Sequence, residues 1–310
     1  VNKLAPIILF VYNRPNETLK TIEALKNNEL AAESDLFIFS DAPKNRNQEE
    51  KVNEVRKIID NIEGFKSVTV FKSDYNRGLS SSIINGVTSI IKEFGKVIVL
   101  EDDLITSQYF IRFMNEALDY YYVNKEIWSI SGYTPKLTFP ADYKASIYIV
   151  PRACSWGWGT WRDRWEHIDW NITDYENFKK DKEKRQKFNL AGNDMSRMLD
   201  EQIKGYIDSW AIRWCYNQFK YGTYTVYPRT SFINNIGLKG DATHGSFNSK
   251  FETDLAMSYD IEFENVGLNY EILEQYSSYY NLSFVNYIGV VLKKLGLYKH
   301  TKQLIKKIRR

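Results

Sequence analysis

Along the first hundred positions, short continuous apolar runs alternate with longer stretches that are apolar on one side only. Ala5 to Tyr12 (APIILFVY) is a continuous apolar run of strand length, Asp35 to Ser40 (DLFIFS) reads as a second, buried strand, and Ser67 to Phe71 and Lys96 to Leu100 (KVIVL) as a third and a fourth. Between them, Glu17 to Asn27, Glu49 to Ile62 and Ser80 to Phe94 repeat apolar residues at helical spacing. Asn13-Arg14-Pro15-Asn16 supplies a turn and a helix start ahead of the first. Strands alternating with helices of this length predict an α/β fold with a mostly parallel central sheet covered by helices on both faces.

Beyond residue 103 the pattern loosens. It predicts a helix over Ser107 to Tyr121, strands at Ile127 to Gly132 and Ile147 to Val150, helices at Lys187 to Ile203 and Ser209 to Lys220, and a strand at Thr223 to Tyr227. A tryptophan-rich stretch, Ser155 to Trp161, and a glycine-bearing polar loop, Asn234 to Phe247, fall between these elements. With no repeat or Pro/Gly/Ser linker, the parse is one domain over 1–281, with halves at about 1–105 and 106–281. A tail over 282–310 follows, in which apolar residues and lysines alternate as in a basic amphipathic helix.

Charge divides the same way. The 310 residues carry 42 Lys and Arg against 39 Asp and Glu, and eight of the basic residues, with no acidic one, lie between Leu282 and Arg310. The rest holds 34 against 39, a charge of −5, which argues against a nucleic-acid partner. A tail of that kind suits peripheral contact with an anionic membrane through 284–310, or packing on the domain as a solvated helix. Cys154 and Cys215 stand apart with no metal-binding spacing, and no apolar run reaches the ~20 residues that cross a bilayer. The expectation is a cytoplasmic protein, free or at the inner face of the plasma membrane.

In open parallel sheets ligands sit beyond the carboxyl ends of the strands. Here those positions hold Asn13-Arg14, Asp41, Asp74 to Gly78 and Glu101-Asp102-Asp103. Three successive carboxylates repel one another unless a cation or donors offset them, and oxygen ligands of this type suit Mg2+ or Mn2+. A solvated acidic turn is the alternative.

KVIVLEDDL resembles the strand and metal-binding acidic motif of GT-A glycosyltransferases, and its Glu-Asp-Asp-Leu form resembles the N-acetylglucosaminyltransferase I family. The first strand with NRP, SISGY at Ser129 to Tyr133, VPRACSWGWGTW at Val150 to Trp161 and KGDATHGSF at Lys239 to Phe247 resemble further islands of that family. The chain also resembles bacterial sugar transferases of surface polysaccharide synthesis. The resemblance implies a GT-A, Rossmann-like fold and a metal-dependent inverting transfer from a UDP-sugar to a glycan or lipid-linked glycan acceptor, with Mn2+ or Mg2+ as cofactor.

Residue by residue, it implies that Asp103 binds the metal, with Glu101 and Asp102 orienting it or bonding the ribose. Asp41 would accept from the uracil imide, or serve only as a turn or N-cap residue. Arg14 would pair with phosphate, and Asn76 and Arg77 would approach the nucleotide sugar. His244 would contact the diphosphate or complete the metal shell, beside Lys239 and Thr243. Asp208 would be the general base, although the family has two adjacent acids where this chain has Asp208-Ser209. One of Trp156 and Trp158, not both, would line the acceptor pocket. The rival readings are a sugar nucleotidyltransferase, disfavoured because NRPNETLKT lacks a glycine-rich loop, and a non-catalytic glycan-binding protein.

Overall fold

A computed structural model describes residues 3–237 and 249–281. The first half is β1 (Ile7–Val11), α1 (Pro15–Lys26), β2 (Asp35–Ser40), α2 (Glu49–Ile59), β3 (Ser67–Lys72), α3 (Leu79–Phe94) and β4 (Lys96–Glu101). Pro15 opens α1 in the first turn, where an N–H would have no partner within the helix. Gly95 closes α3 at φ +79°, a conformation that a side chain would oppose. The second half adds β5 (Leu104–Thr106), α4 (Phe110–Tyr120), β6 (Ile127–Ser131), β7 (Ile147–Val150), β8 (Trp158–Trp161), α5 (Arg162–Trp165), α6 (Tyr175–Lys180), α7 (Lys182–Phe188), α8 (Met195–Ile203), α9 (Trp210–Lys220), β9 (Tyr224–Pro228), β10 (Ile233–Asn235) and α10 (Tyr270–Tyr280).

Eight strands form one sheet in the order β3-β2-β1-β4-β8-β6-β9-β7, and β10 pairs with β5 alongside it. The pairs among β3, β2, β1 and β4 are parallel, whereas β8 runs antiparallel to both β4 and β6. The fold is α/β, with a large, mostly parallel central sheet between helices. After β1 the chain moves to β2 on one side, and later to β4 on the other, so the order reverses between β1 and β4.

Side chains alternate across β1 and β4. Ile7, Leu9, Ile98 and Leu100 join α1, α2 and α4 in one core, while Ile8, Phe10, Val97 and Val99 join α3 and Trp210 and Trp214 of α9 in another. A third core lies beneath β7, α6, α8, α9 and α10.

Two expectations change. The predicted helix over Lys187 to Ile203 is broken into the end of α7 and α8, because Gly192 takes φ +142° between them. The tryptophan-rich stretch contains a strand, β8, inserted into the sheet. Gly157 sits at φ +61°, where a Cβ would run into Ile233 at 2.6 Å, and a Cβ on Gly159 would stand 3.0 Å from the Val97 carbonyl oxygen. The glycines between those tryptophans therefore answer to close packing in the sheet. The tail over 282–310 lies outside the described residues.

Candidate active site

Because β3, β2, β1 and β4 are adjacent and parallel, the segments that follow them share one edge of the sheet. Alternation along β4 then separates the three carboxylates. Glu101 continues the face of Val97 and Val99. Asp102 lies beneath α1, where one of its oxygens accepts from the Tyr12 backbone N–H at 3.0 Å while its own carbonyl accepts from Thr21 Oγ1 at 3.0 Å. Asp103 turns into the cleft, where Arg14 Nη1 donates to its Oδ2 at 2.5 Å. Arg14 follows β1 and Asp103 follows β4 by two residues, so this ion pair spans the position where the strand order reverses, the usual ligand position in such sheets.

One guanidinium faces three acids. Burial, then repulsion from Asp103 and Asp102, pushes the Glu101 carboxyl up to about 8. Burial and Asp103 push Asp102 up to about 7 despite the Tyr12 bond. Asp103 is raised by burial against the opposing pull of Arg14. Arg14 is held above its ordinary value, because Asp103 and Asp102 outweigh its own desolvation. The cluster is short of positive charge.

The roof comes from β10. Ile236 donates its N–H to the Asp103 carbonyl at 2.9 Å, and Gly237 donates to Asn235 Oδ1 at 2.8 Å. A Cβ on Gly237 would fall 2.0 Å from Asp103 Oδ2 and 2.8 Å from Arg14 Nη1, so a side chain here would have to displace that ion pair. The next residues, including Lys239, Thr243 and His244, lie outside the described residues.

On the other side of β1, Asp41 is buried and its carboxylate serves the chain itself. Oδ1 accepts from the Ala42 and Arg77 N–H groups at 2.9 Å each, and Oδ2 accepts from Gly78 N–H at 2.9 Å and Asn76 Nδ2 at 3.1 Å. The Asn76 amide also donates to the Ala42 carbonyl at 2.7 Å. Arg77 is exposed, with its guanidinium over the Tyr75 ring and its Nε on Ser73 Oγ.

Asp208 lies at the same edge. A Cβ on Gly78 would be 3.7 Å from its Oδ2, so the carboxylate stands against the start of α3. Its side chain is 61% exposed and Arg213 is 3.8 Å away. It does not cap α9, since the Ser209 hydroxyl accepts from Ile212 N–H. That leaves the Asp208 carboxylate open to solvent.

The tryptophan assignment is corrected in part. Trp158 is 2% exposed and stacks on Trp165 at 5.7 Å and on Trp210 at 4.9 Å. Pairing with Val99 and Ser131 seats it inside the sheet, so it cannot meet an acceptor. Trp156 is half-buried, edge-on to Tyr133 at 4.7 Å.

Sequence reasoning missed two residues. Tyr12 fixes Asp102 by its N–H, and its hydroxyl joins Gln48 and receives Lys44 N–H. Arg56, in the last turn of α2, donates to the Ser73 carbonyl at 2.7 Å and lies 3.4 Å from Ser40 Oγ and 3.5 Å from the Asp41 carbonyl. Nothing in the pattern of an amphipathic helix distinguishes such an arginine from a solvated one.

Among the described residues, no three His, Cys, Asp or Glu side chains converge as a ready-made metal cage. The donor chemistry still fits a hard divalent cation held through one carboxylate, Asp103, in a cluster whose negative charge a single guanidinium leaves partly uncompensated.

No family model matches the sequence, and no curated protein matches it. Among solved structures, the chain is similar to the mannosyltransferase PcManGT from Pyrobaculum calidifontis in complex with GDP-Man and Mn2+, at 10% identity and a TM-score of 0.37, over 54% of this chain and 47% of that one. It is also similar to S. aureus TarS 1-349, at 7% identity and a TM-score of 0.39, over 75% of this chain and 60% of that one. The chain thus spans about half to three-fifths of their lengths. Likeness this loose establishes no shared activity, and the functional reading rests on the geometry of the cleft.

Proposed function

We propose that the protein is a metal-dependent inverting glycosyltransferase of the GT-A type, moving a sugar from a UDP-sugar to a hydroxyl of a glycan acceptor. The observation that carries the reading is the Arg14–Asp103 pair at the reversal of strand order, under Gly237, with the exposed Asp208 carboxylate at the same edge. Asp103 would hold Mn2+ or Mg2+, which when bound neutralises charge on a leaving diphosphate. Arg14 presents a planar fork suited to diphosphate oxygens. Asp208, open to solvent and supported by Arg213, takes the proton of the acceptor hydroxyl as the glycosidic bond forms. Glu101 and Asp102 would add their charge beside Asp103 once a bound cation draws off their protons. Lys239, Thr243 and His244 follow Gly237 in the chain and are proposed as further diphosphate contacts, with His244 also a metal ligand. Trp156 is the remaining aromatic candidate for the acceptor.

A growing surface glycan, lipid-linked and met at the inner membrane face through 284–310, is the acceptor and location we propose. No helix among the described residues is long and apolar enough to cross a membrane.

The test is UDP release from a panel of UDP-sugars with Mn2+ and a mixture of glycan acceptors, with anomeric configuration of the product read by NMR. Asp208→Asn should abolish acceptor-dependent turnover while leaving UDP binding intact. Full activity in that variant overturns the base assignment, and no turnover with any donor, alongside tight glycan binding, overturns the enzyme.

A further inference from the structure

We infer that Asp41 is a positioning residue that builds the nucleotide cleft and does not read the nucleotide base, with Arg56 as its support from α2. The inference rests on the cleft being a nucleotide-sugar site. A carboxylate offers about four acceptor positions. In Asp41 four donors occupy them: the backbone N–H groups of Ala42, Arg77 and Gly78, and the Asn76 amide. The Arg77 N–H is shared between both oxygens, at 2.9 and 3.1 Å. With 9% of the residue exposed, there is neither a free lone pair nor an approach for an imide N–H.

What these bonds accomplish is visible in α3. Gly78 is its N-cap, at φ +77°, and no side chain caps the helix. The position of the helix start is therefore set by Asp41, which takes the N–H groups of Arg77 and Gly78. Arg56 closes the arrangement from below, bonding the ends of β2 and β3 through Ser40, Asp41 and Ser73. Because Gly78 also abuts Asp208, the loop fixed by Asp41 touches both the nucleotide edge and the proposed base. Base discrimination must then come from other groups on the cleft wall.

The experiment is calorimetric titration of UDP, CDP, GDP and ADP, each with Mn2+, into the full chain and into Asp41→Asn and Arg56→Gln, together with amide hydrogen exchange over residues 76–82. Bonds in which one partner is charged, the Asp41 carboxylate or the Arg56 guanidinium, contribute ~1.5–3 kcal/mol each, so either variant should weaken all four nucleotides by roughly tenfold or more. The ratio of UDP to CDP affinity should stay at the wild-type value, and exchange over 76–82 should quicken in both. A carboxylate that read the imide would instead lose UDP selectively in Asp41→Asn, toward CDP, and leave Arg56→Gln unaffected; that outcome overturns the inference. Should Asp41→Asn fail to fold, Arg56→Gln decides alone. If the wild-type chain binds no nucleoside diphosphate, the nucleotide reading falls, and hydrogen exchange still decides the positioning role: unchanged exchange in Arg56→Gln overturns it.

Discussion

Metal-free protein should lose stability as the pH rises, the reverse of what carboxylates in ion pairs normally produce. In the folded chain Glu101 keeps its proton up to about 8 and Asp102 up to about 7, because both are buried and both face Asp103. An unfolded chain releases the same protons near pH 4. Between roughly pH 4 and 8 the folded state therefore binds more protons than the unfolded state, and the slope of unfolding free energy against pH is negative. The loss begins as the unfolded acids ionise and levels off above the folded values. At about 1.4 kcal/mol for each tenfold difference in proton affinity, Glu101 alone contributes on the order of 5 kcal/mol. It titrates together with Asp102, so the two form one broad transition rather than two additive ones. A divalent cation binds the ionised cluster, so Mn2+ should restore stability strongly at pH 8 and little at pH 5. Urea unfolding in chelator at half-unit pH intervals, repeated with Mn2+, measures both effects. Stability that stays level or rises from pH 5 to 8 in chelator, or a Mn2+ effect equal at both ends, would refute the argument that these acids are crowded and uncompensated.

Gly237→Ala should still fold, at a cost of ~1–3 kcal/mol in urea unfolding, because the new methyl overlaps the Asp103 carboxylate and the Arg14 guanidinium and must push that pair aside. It should also lower Mn2+ affinity tenfold or more, as read by calorimetry, since it displaces the carboxylate proposed to hold the ion. Trp158→Ala should cost ~3–5 kcal/mol in urea unfolding, the range for an aromatic removed from a packed core. Trp156→Ala, at a half-buried position, should cost less and raise the KM for acceptor. A mild Trp158→Ala would contradict the packing of β8.

The sheet edge was legible in the sequence because its cause is local. Four apolar runs of strand length, each followed by polar residues, require that Arg14, Asp41, Asn76, Arg77 and the three acids share one edge once the strands pair in parallel. The pairing of Arg14 with Asp103 was not legible, because it depends on β4 joining β1 on the side away from β2, and strand order is a property of the whole sheet. The same holds for Trp158. A glycine-flanked tryptophan reads as a binding residue until an antiparallel strand, absent from any simple alternating βα pattern, inserts it between β4 and β6.

By itself, the sequence determined which residue types stand at each strand end, and that its charge is divided between an acidic body and a basic final segment. Only the tertiary structure decided what those residues do to one another. Three adjacent acids are equivalent on paper, yet alternation along β4 directs Asp102 under α1, keeps Glu101 on the opposite face and leaves Asp103 to meet Arg14 across the reversal of strand order. Likewise Asp41, one carboxylate among several in the sequence, becomes the anchor of the α3 start because folding brings the backbone donors of residues 77 and 78 to it. Hydrogen bonds and repulsion depend on distance in space, and distance in space is fixed by strand order, register and face.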